Sequence, residues 1–169
     1  MGNQYDAQPE LTVDLNKTYE ATLHTSEGDI TIEFYPADAP QTVNNWLFLA
    51  GEGFYDGVIF HRTIPGFMIQ GGDPTGTGTG GPGYQFRDEV HSKTSYDRGT
   101  VAMANSGPNT NGSQFFIMHD DYGLPNAYTI FGKVTDGMDI VDAIASAPKG
   151  AQDRPQDPVS INSVTITET

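Results

Sequence analysis

Short stretches of alternating apolar and polar residues, broken repeatedly by glycine or proline, most constrain how this chain can fold. It contains 20 glycines and 11 prolines, and period-two alternation is typical of strands joined by tight turns. Residues 19–25 and 30–35 flank a Glu-Gly-Asp turn and predict a hairpin. Further strands are predicted at residues 58–62, 67–71, 100–104, 115–118, 128–134 and 159–167. In the last segment the alternation changes phase at Asn162 and Ser163, which predicts a β-bulge.

Only two segments have helical periodicity. Val43, Trp46 and Ala50 recur at helical spacing in the first, and the second is predicted at residues 136–147. Trp46, the one tryptophan, is interpreted as a core side chain of the first helix rather than a ligand contact. Many strands with only two helices favour a mainly β fold, a closed antiparallel barrel capped by helices, over a parallel sheet with regularly alternating helices.

The chain is strongly acidic, with a formal net charge of −14. Nucleic acids and anionic membrane surfaces would repel such a protein, and its eight lysines and arginines form no basic patch in the sequence. We therefore expect neither partner and interpret the acidity as favouring solubility. The absence of cysteine excludes disulfides, thiol catalysis and thiolate metal sites.

A length of 169 residues suits one domain with one core. Residues 1–18 are polar and unpatterned, which predicts an N-terminal arm, laid on the domain or mobile, before a single domain at residues 19–169. The start of the sequence lacks a secretory signal pattern, so we expect a cytoplasmic protein or, alternatively, an exported one whose leader is not part of this sequence. We expect a monomer.

Two motifs lack the context that their usual chemistry needs. Residues 76–81 match the dinucleotide-binding pattern G-x-G-x-x-G, but Pro82 and Gly83 follow where a helix would be required, so a flexible surface loop is predicted. Asp88, Glu89 and His91 lie close in sequence but are too few for an oxygen-rich metal site. We predict no metal and no other cofactor.

The run from Phe60 to Gly72 places one cation, Arg62, among apolar residues with almost no other charge. Such a site can hold a neutral, partly apolar ligand, but it is poorly suited to acid–base chemistry. A lone arginine is most often a surface charge, yet its apolar neighbours favour a role in a site. A second run, Met103 to Ile117, also sets polar amides, Asn105 and Gln114, among apolar residues, and buried amides need hydrogen-bond partners.

Both runs closely resemble the cyclophilin family of peptidyl-prolyl cis–trans isomerases, and the resemblance extends over residues 19–166. It implies an eight-stranded barrel with a helix at each end. It also implies an enzyme that rotates X-Pro peptide bonds and assists protein folding without a cofactor. The partners it implies are proline-containing peptides and unfolded chains.

The resemblance also implies the site residues. Arg62 corresponds to the catalytic arginine of the family. The residues implied to bind substrate are Phe67, Met68, Gln70, Ala104, Asn105, Gln114, Phe116, Leu124 and Tyr128. In the family pattern the apolar members receive the proline ring on an outward face of the barrel. Gln70 and the backbone of Asn105 bind the substrate main chain, and Gln114 helps to orient Arg62.

Residues 118–128 depart from the eukaryotic family pattern. This loop is shorter by one residue and lacks a tryptophan, and Tyr128 stands where many members have histidine. These features resemble a bacterial-type branch and predict weak binding of cyclosporin-like macrocycles. Tyr122 is a candidate to replace part of the missing indole.

Two other function classes stay open on the sequence. A noncatalytic module or chaperone could hold proline-containing peptides in the same groove, although the presence of Arg62 weighs against it. A sugar-binding β-barrel has only generic polar and aromatic residues in its favour.

Overall fold

The computed structural model describes residues 4–90 and 95–169, which form one antiparallel sheet and two α-helices. The strands are β1 Tyr19–Thr25, β2 Gly28–Phe34, β3 Phe60–Ile64, β4 Met68–Gly71, β5 Thr100–Met103, β6 Phe115–Met118, β7 Ile130–Asp136 and β8 Ile161–Glu168. The helices are α1 Pro40–Gly51 and α2 Met138–Ser146, and a 3-10 turn spans Ala151–Asp153. The prediction of a mainly β fold with eight antiparallel strands and two helices is confirmed.

The sheet curls until its two edges approach each other. Its strand order is β3-β4-β6-β5-β7-β2-β1-β8, which leaves β3 and β8 at the edges. An isolated antiparallel bridge joins Ile59 to Ser160, just before these edge strands. Beside it, the N–H of Phe60 donates to the carbonyl of Val159 at 3.0 Å, and the N–H of Ile161 donates to Val58 at 2.8 Å. We expected a closed barrel. The strand pairing instead forms a curled sheet whose two edges meet at this isolated bridge.

The pairing of β1 with β8 contains the predicted irregularity. His24 pairs with Ser163, but Thr25 pairs with Ile161, so Asn162 is an extra residue in β8. One extra residue reverses the facing of everything beyond it. This explains how Ile161 and Val164, three positions apart, both contact the main core. The predicted β-bulge is confirmed.

The two faces of the sheet carry different apolar clusters. In β6, Phe115 and Ile117 belong to the main core, whereas Phe116 and Met118 belong to a smaller cluster on the other face. Alternate side chains of a strand point to opposite faces. The smaller cluster also contains Met68 of β4, and the sheet therefore supports a second apolar surface behind its main core.

Helix α1 inserts its apolar side into the main core. Trp46 is fully buried and stacks on Tyr55 with ring centroids 5.0 Å apart, which confirms the prediction of a core side chain. At the start of the helix the carboxylate of Glu89 accepts the N–H groups of Gln41 and Thr42 at 3.1 and 2.7 Å. First-turn N–H groups lack partners within the helix and favour a negative charge. Glu89, weighed above as a metal ligand, has this structural role, and His91 lies outside the described residues.

Residues 4–18 lie against the domain without forming a helix or strand. The side-chain carbonyl of Asn44 in α1 accepts the N–H groups of Thr12 and Val13 at 2.8 and 3.0 Å, and its amide donates to Glu10 at 2.9 Å. Tyr5 donates its N–H to Pro82 at 2.8 Å. Of the two alternatives for the arm, the described part is laid on the domain. Neither helix of the described chain is long and apolar enough to cross a membrane.

Candidate functional site

A pocket of about 380 Å³ opens on the face of the sheet that carries the smaller cluster. Nine of the ten residues predicted from the sequence line it, namely Arg62, Phe67, Met68, Gln70, Ala104, Asn105, Phe116, Leu124 and Tyr128. The tenth, Gln114, lines an adjoining cavity and contacts this pocket through Gln70. Arg62 and Phe116, more than 50 positions apart in sequence, are thus brought together by the pairing of β3, β4 and β6.

One side of the pocket is an apolar wall, formed by Phe67, Met68, Ala104, Phe116, Leu124 and Tyr128. Met68 and Phe116 are only 1% and 5% exposed, so their positions are fixed by packing rather than by solvent. The ring of Tyr128 meets Phe116 edge to face with centroids 5.6 Å apart. A slot of this kind suits a compact apolar group such as a five-membered ring.

Arg62 projects from β3 at the border of the apolar wall. Its Nη1 donates to Oε1 of Gln70, its pairing partner on β4, over a long 3.4 Å. Among residues 4–90 and 95–169, no carboxylate forms an ion pair with Arg62. An arginine guanidinium has five N–H donors, and the bond to Gln70 is the one hydrogen bond that the Arg62 side chain donates within the described chain, so most of its donors are available to a ligand.

A chain of side-chain amides fixes the partner of Arg62. Gln70 donates through Nε2 to Oε1 of Gln114 at 3.0 Å. Gln114 in turn donates through Nε2 to the carbonyls of Gly78 and Gly80 at 2.9 and 3.0 Å. Each amide has one accepting and one donating end, so the carbonyls of the loop set both orientations. Gln114 therefore contacts Arg62 only through Gln70, which was expected to serve the substrate alone.

The loop that holds Gln114 is organised around one buried carboxylate. Asp73, 1% exposed, accepts the N–H groups of Thr75, Thr77, Gly78 and Gly80 at 2.8, 3.2, 2.6 and 3.0 Å. Burial by itself raises the pKa of this carboxyl. The hydrogen bond from the Thr75 hydroxyl at 2.7 Å and those from the N–H groups of Gly80, Thr75 and Gly78 outweigh burial and hold the pKa below its usual 3.8. The loop lies beside the pocket as expected, and its flexibility stays a prediction. Gly78 has a φ of +95°, which favours glycine.

His61 lines the pocket next to Arg62 but was not predicted as a site residue. It is 6% exposed, and its Nδ1 is buried without a hydrogen-bond partner in the described chain. Burial and the nearby charges of Arg154 and Arg62 lower its pKa from 6.5, although Asp73 acts in the opposite direction. The imidazole is therefore neutral at pH 7 and adds no charge to the site.

Four further residues of the lining were also missed, namely Thr77, Gly78, Gln152 and Arg154. Arg154 reaches the pocket from the segment after α2, where its Nη1 donates to the carbonyl of Gly76. No local pattern marks this arginine, because only the fold brings it near Arg62. The G-x-G-x-x-G segment, which contains Thr77 and Gly78, was the one sequence signal that could have pointed to these missed residues. It was interpreted for its glycines and not for the preceding Asp73.

Comparison with known proteins agrees with this geometry. Residues 21–166 match the family model described as cyclophilin type peptidyl-prolyl cis-trans isomerase/CLD. The chain belongs to this family. The predicted family and the predicted function as a peptidyl-prolyl cis-trans isomerase are confirmed.

Individual relatives of this isomerase are similar over almost their whole length. A probable peptidyl-prolyl cis-trans isomerase A of Mycobacterium leprae is 47% identical over 93% of this chain and 97% of its own. The corresponding Mycobacterium tuberculosis protein is 48% identical over 89% and 93%. These relatives support the bacterial-type branch. A cyclophilin-type isomerase of Cryptosporidium parvum has a solved structure with a TM-score of 0.82 and 39% identity, covering 89% of this chain and 98% of that one.

Tyr122, in the loop that follows β6, lies outside the lining of the pocket. Its ring stacks on Phe67 with centroids 4.3 Å apart and planes inclined by 26°. Tyr122 remains 49% exposed and does not line the pocket. It extends the apolar wall at the rim, where it supports Phe67 from outside.

Replacing the buried carboxylate tests the importance of the loop. Asp73→Asn substitutes a donor for one acceptor oxygen, so at least one loop N–H loses its partner, and we expect a loss of about 1–3 kcal/mol in the free energy of unfolding at pH 7. Because the folded pKa of Asp73 lies below 3.8, its contribution is complete above that value and disappears as the pH falls through the folded pKa. The stability difference from wild type should therefore narrow only in acid, which denaturant unfolding at pH 7 and pH 3 would measure.

The isomerase rate should fall together with stability, because Gly78 and Gly80 would no longer hold Gln114 in place. Asp157→Asn, at an exposed position outside the pocket, is the matched control. An Asp73→Asn variant with wild-type stability at pH 7 would show that the carboxylate does not organise the loop.

Proposed function

We propose that this isomerase binds X-Pro segments of peptides with the proline ring against the apolar wall and that Arg62 is the catalytic residue. The observation that carries the proposal is a guanidinium held at the edge of an apolar slot by Gln70, with no carboxylate in the described chain to neutralise it. A cation without a carboxylate partner beside an apolar wall is suited to stabilising a change of charge distribution.

The chemistry is a rotation rather than a bond cleavage. The nitrogen of an X-Pro peptide bond shares its lone pair with the carbonyl, which leaves a barrier of ~18–20 kcal/mol and makes spontaneous exchange slow. At the twisted transition state this conjugation is lost, and the nitrogen becomes pyramidal and more basic. A donor directed at the nitrogen, or a cation at the carbonyl, therefore binds the twisted state better than either planar isomer, which is the requirement for catalysis.

Arg62 has properties suited to this role. Arginine cannot act as a general base, but its fixed, planar donors can follow a carbonyl or a nitrogen as the bond turns. An acceleration of about five decades requires ~7 kcal/mol at ~1.36 kcal/mol per decade. A charge-assisted hydrogen bond in a dehydrated site, together with anchoring of the ring, is of this order. Neither step calls for a cofactor.

The remaining polar groups would hold the peptide main chain. The side chain of Asn105 is already engaged, since it donates to Ala127 at 2.9 Å and accepts from Gly107 at 3.2 Å, which leaves its backbone for substrate. Main-chain recognition would let many sequences around proline bind. The Cryptosporidium parvum isomerase was also solved in the presence of the dipeptide ala-pro, with 39% identity and a TM-score of 0.81, which supports proline-containing peptides as ligands here.

Substitution of Arg62 tests the mechanism. Arg62→Ala should lower the isomerase kcat/KM by about 10²–10³, the usual effect of removing one donor that stabilises a transition state. Arg62→Lys keeps the charge but loses the planar donors, so its kcat/KM should lie between those of wild type and Arg62→Ala. The measurement is cis–trans exchange of a short X-Pro peptide by NMR. Arg87→Ala removes an exposed arginine outside the pocket and is the matched control.

The outcomes separate the two functions considered. Exchange at the background rate with the wild-type protein would leave a noncatalytic module that binds proline peptides. Equal catalysed rates in wild type, Arg62→Ala and Arg62→Lys would retain the enzyme and remove Arg62 from its mechanism.

Cyclosporin-like macrocycles should bind weakly, because a tyrosine rather than an indole supports the rim at Phe67. We expect Tyr122→Trp to raise the affinity about tenfold, or ~1.4 kcal/mol, near the upper range for one aromatic contact. Calorimetric titration with cyclosporin would measure both proteins. A wild-type affinity equal to that of a tryptophan-bearing relative would contradict this expectation.

We further propose that the curled sheet is closed as a barrel in solution through Ile59 and Ser160. The amide hydrogens of Phe60 and Ile161, which donate across this seam, should then exchange with solvent as slowly as those between β1 and β2. Hydrogen exchange followed by NMR would measure this. Rapid exchange at both seam positions beside slow exchange in the β1–β2 hairpin would indicate an open sheet.

A further inference from the structure

Arg62 shares its pocket with a second arginine, Arg154. Burial is the largest cause of the lowered pKa of His61, and the charges of both Arg154 and Arg62 add to it. The two guanidiniums therefore act on the same imidazole and lie near each other. Like charges brought together without counter-ions carry an energetic penalty, which makes their arrangement informative.

Neither of the pocket arginines has a carboxylate partner in the described chain. Three other cations do form ion pairs, Lys17 with Glu168, Arg98 with Asp142 and Lys149 with Asp153. The chain carries 22 acidic residues, so partners are plentiful on the surface. The pocket is thus a small cationic area in an acidic protein, and both cations there are free to pair with a ligand.

Arg154 is held in position by its surroundings. Its Nη1 donates to the carbonyl of Gly76 in the loop around Asp73, and its own carbonyl accepts the N–H of Gly150 at 2.7 Å. The neighbouring Lys149 donates to the carbonyl of Thr63 in β3 at 3.1 Å, which ties the segment to the strand that carries Arg62. An arginine has five donors, and Arg154 lines the pocket, so this anchored guanidinium keeps donors available to a ligand there.

The backbone beside Arg154 has an unusual conformation. Gln152 and Asp153 have φ values of 60° and 58°, in the left-handed region that residues with a Cβ seldom adopt. The Gln152 side chain lines the pocket, next to Arg154. Strained backbone of this kind tends to persist where it positions a binding group. Here it brings a neutral amide and a cation to the same edge of the pocket.

Nearby carboxylates offset only part of this charge, because the one negative charge of Asp73 acts on His61 more strongly than either arginine alone but opposes two positive charges. Asp73 is buried, and its oxygens already accept four loop N–H groups. Asp153 is engaged by Lys149 at 2.9 Å. The acidic surface farther away is screened over ~8 Å at physiological ionic strength. A ligand in the pocket would be affected mainly by the two arginines.

We propose that Arg154, assisted by Gln152, gives this isomerase a preference for peptides that carry an acidic side chain directly before or directly after the proline. The proposal rests on the proposed function, because it requires the X-Pro unit to lie against the apolar wall. Arg154 is then a specificity-determining residue, whereas Arg62 acts on the rotating bond.

Matched peptides test this preference. Four blocked peptides would carry Glu or Gln immediately before or immediately after the same proline, and kcat/KM would be measured by NMR exchange at low salt. We expect kcat/KM to be roughly threefold to tenfold higher for the Glu peptide than for the Gln peptide at one or both positions. This is the range for a partly exposed, charge-assisted pair. The preference should shrink in 1 M salt, where screening extends to ~3 Å.

Substitutions at Arg154 assign the preference to its side chain. Arg154→Gln should bring the Glu-to-Gln ratio close to one, Arg154→Glu should invert it, and Arg154→Lys should retain part of it. Arg87→Gln makes the same change in net charge at an exposed position outside the pocket and should leave the ratio as in wild type. Thermal unfolding of each variant would check folding, and a ratio compares two substrates of one protein preparation, so partial unfolding does not change it.

The failures of the two proposals are distinguishable. Catalysis of all four peptides with a ratio of one at both positions would overturn the acidic preference and leave the isomerase intact. A preference that persists in Arg154→Gln would overturn the assignment to Arg154. Background exchange with every peptide would instead contradict the proposed function.

Discussion

Strands β4, β5 and β6 each serve two apolar clusters at once, and the site depends on this constraint. Phe115 and Ile117 lock β6 into the main core, and their neighbours Phe116 and Met118 are thereby fixed on the opposite face. Because side chains alternate along a strand, neither set can move without the other. The apolar wall thus takes its rigidity from the main core, and a ligand meets a surface that is already ordered.

The polar side of the site is organised differently, through hydrogen bonds that begin at a buried charge. Asp73 orders its loop, the carbonyls of Gly78 and Gly80 hold Gln114, and Gln114 and Gln70 lead to Arg62. Between Asp73 and Arg62 this path consists of backbone and side-chain amides, which are neutral. No carboxylate therefore has to approach Arg62 to position it. The guanidinium is held in place while its charge remains available, which a direct salt bridge would not allow.

Local pattern in the sequence was sufficient for most of the fold. Alternation located the hairpin of β1 and β2, and the change of phase at Asn162 gave the bulge, because both depend on neighbours in the chain. Resemblance to a family located the apolar wall and Arg62. The contacts of Arg154 were missed because they join segments far apart in sequence, and no spacing rule describes them. The hydrogen bonds of Asp73 are local, within residues 73–80, but none of the motifs considered in the sequence includes this carboxylate. The glycine-rich loop was interpreted from its composition, which does not show that the preceding Asp73 accepts its N–H groups.

The burial of Trp46 has a practical consequence for spectroscopy. The chain has one tryptophan, which stacks on Tyr55 in the main core and meets Phe115 edge to face at 5.7 Å. Phe115 stands back to back with Phe116 across the sheet, so the indole is separated from the pocket by a complete layer of backbone. Its fluorescence emission therefore reports whether the main core is folded. The emission should change little when a ligand binds in the pocket on the other face of the sheet.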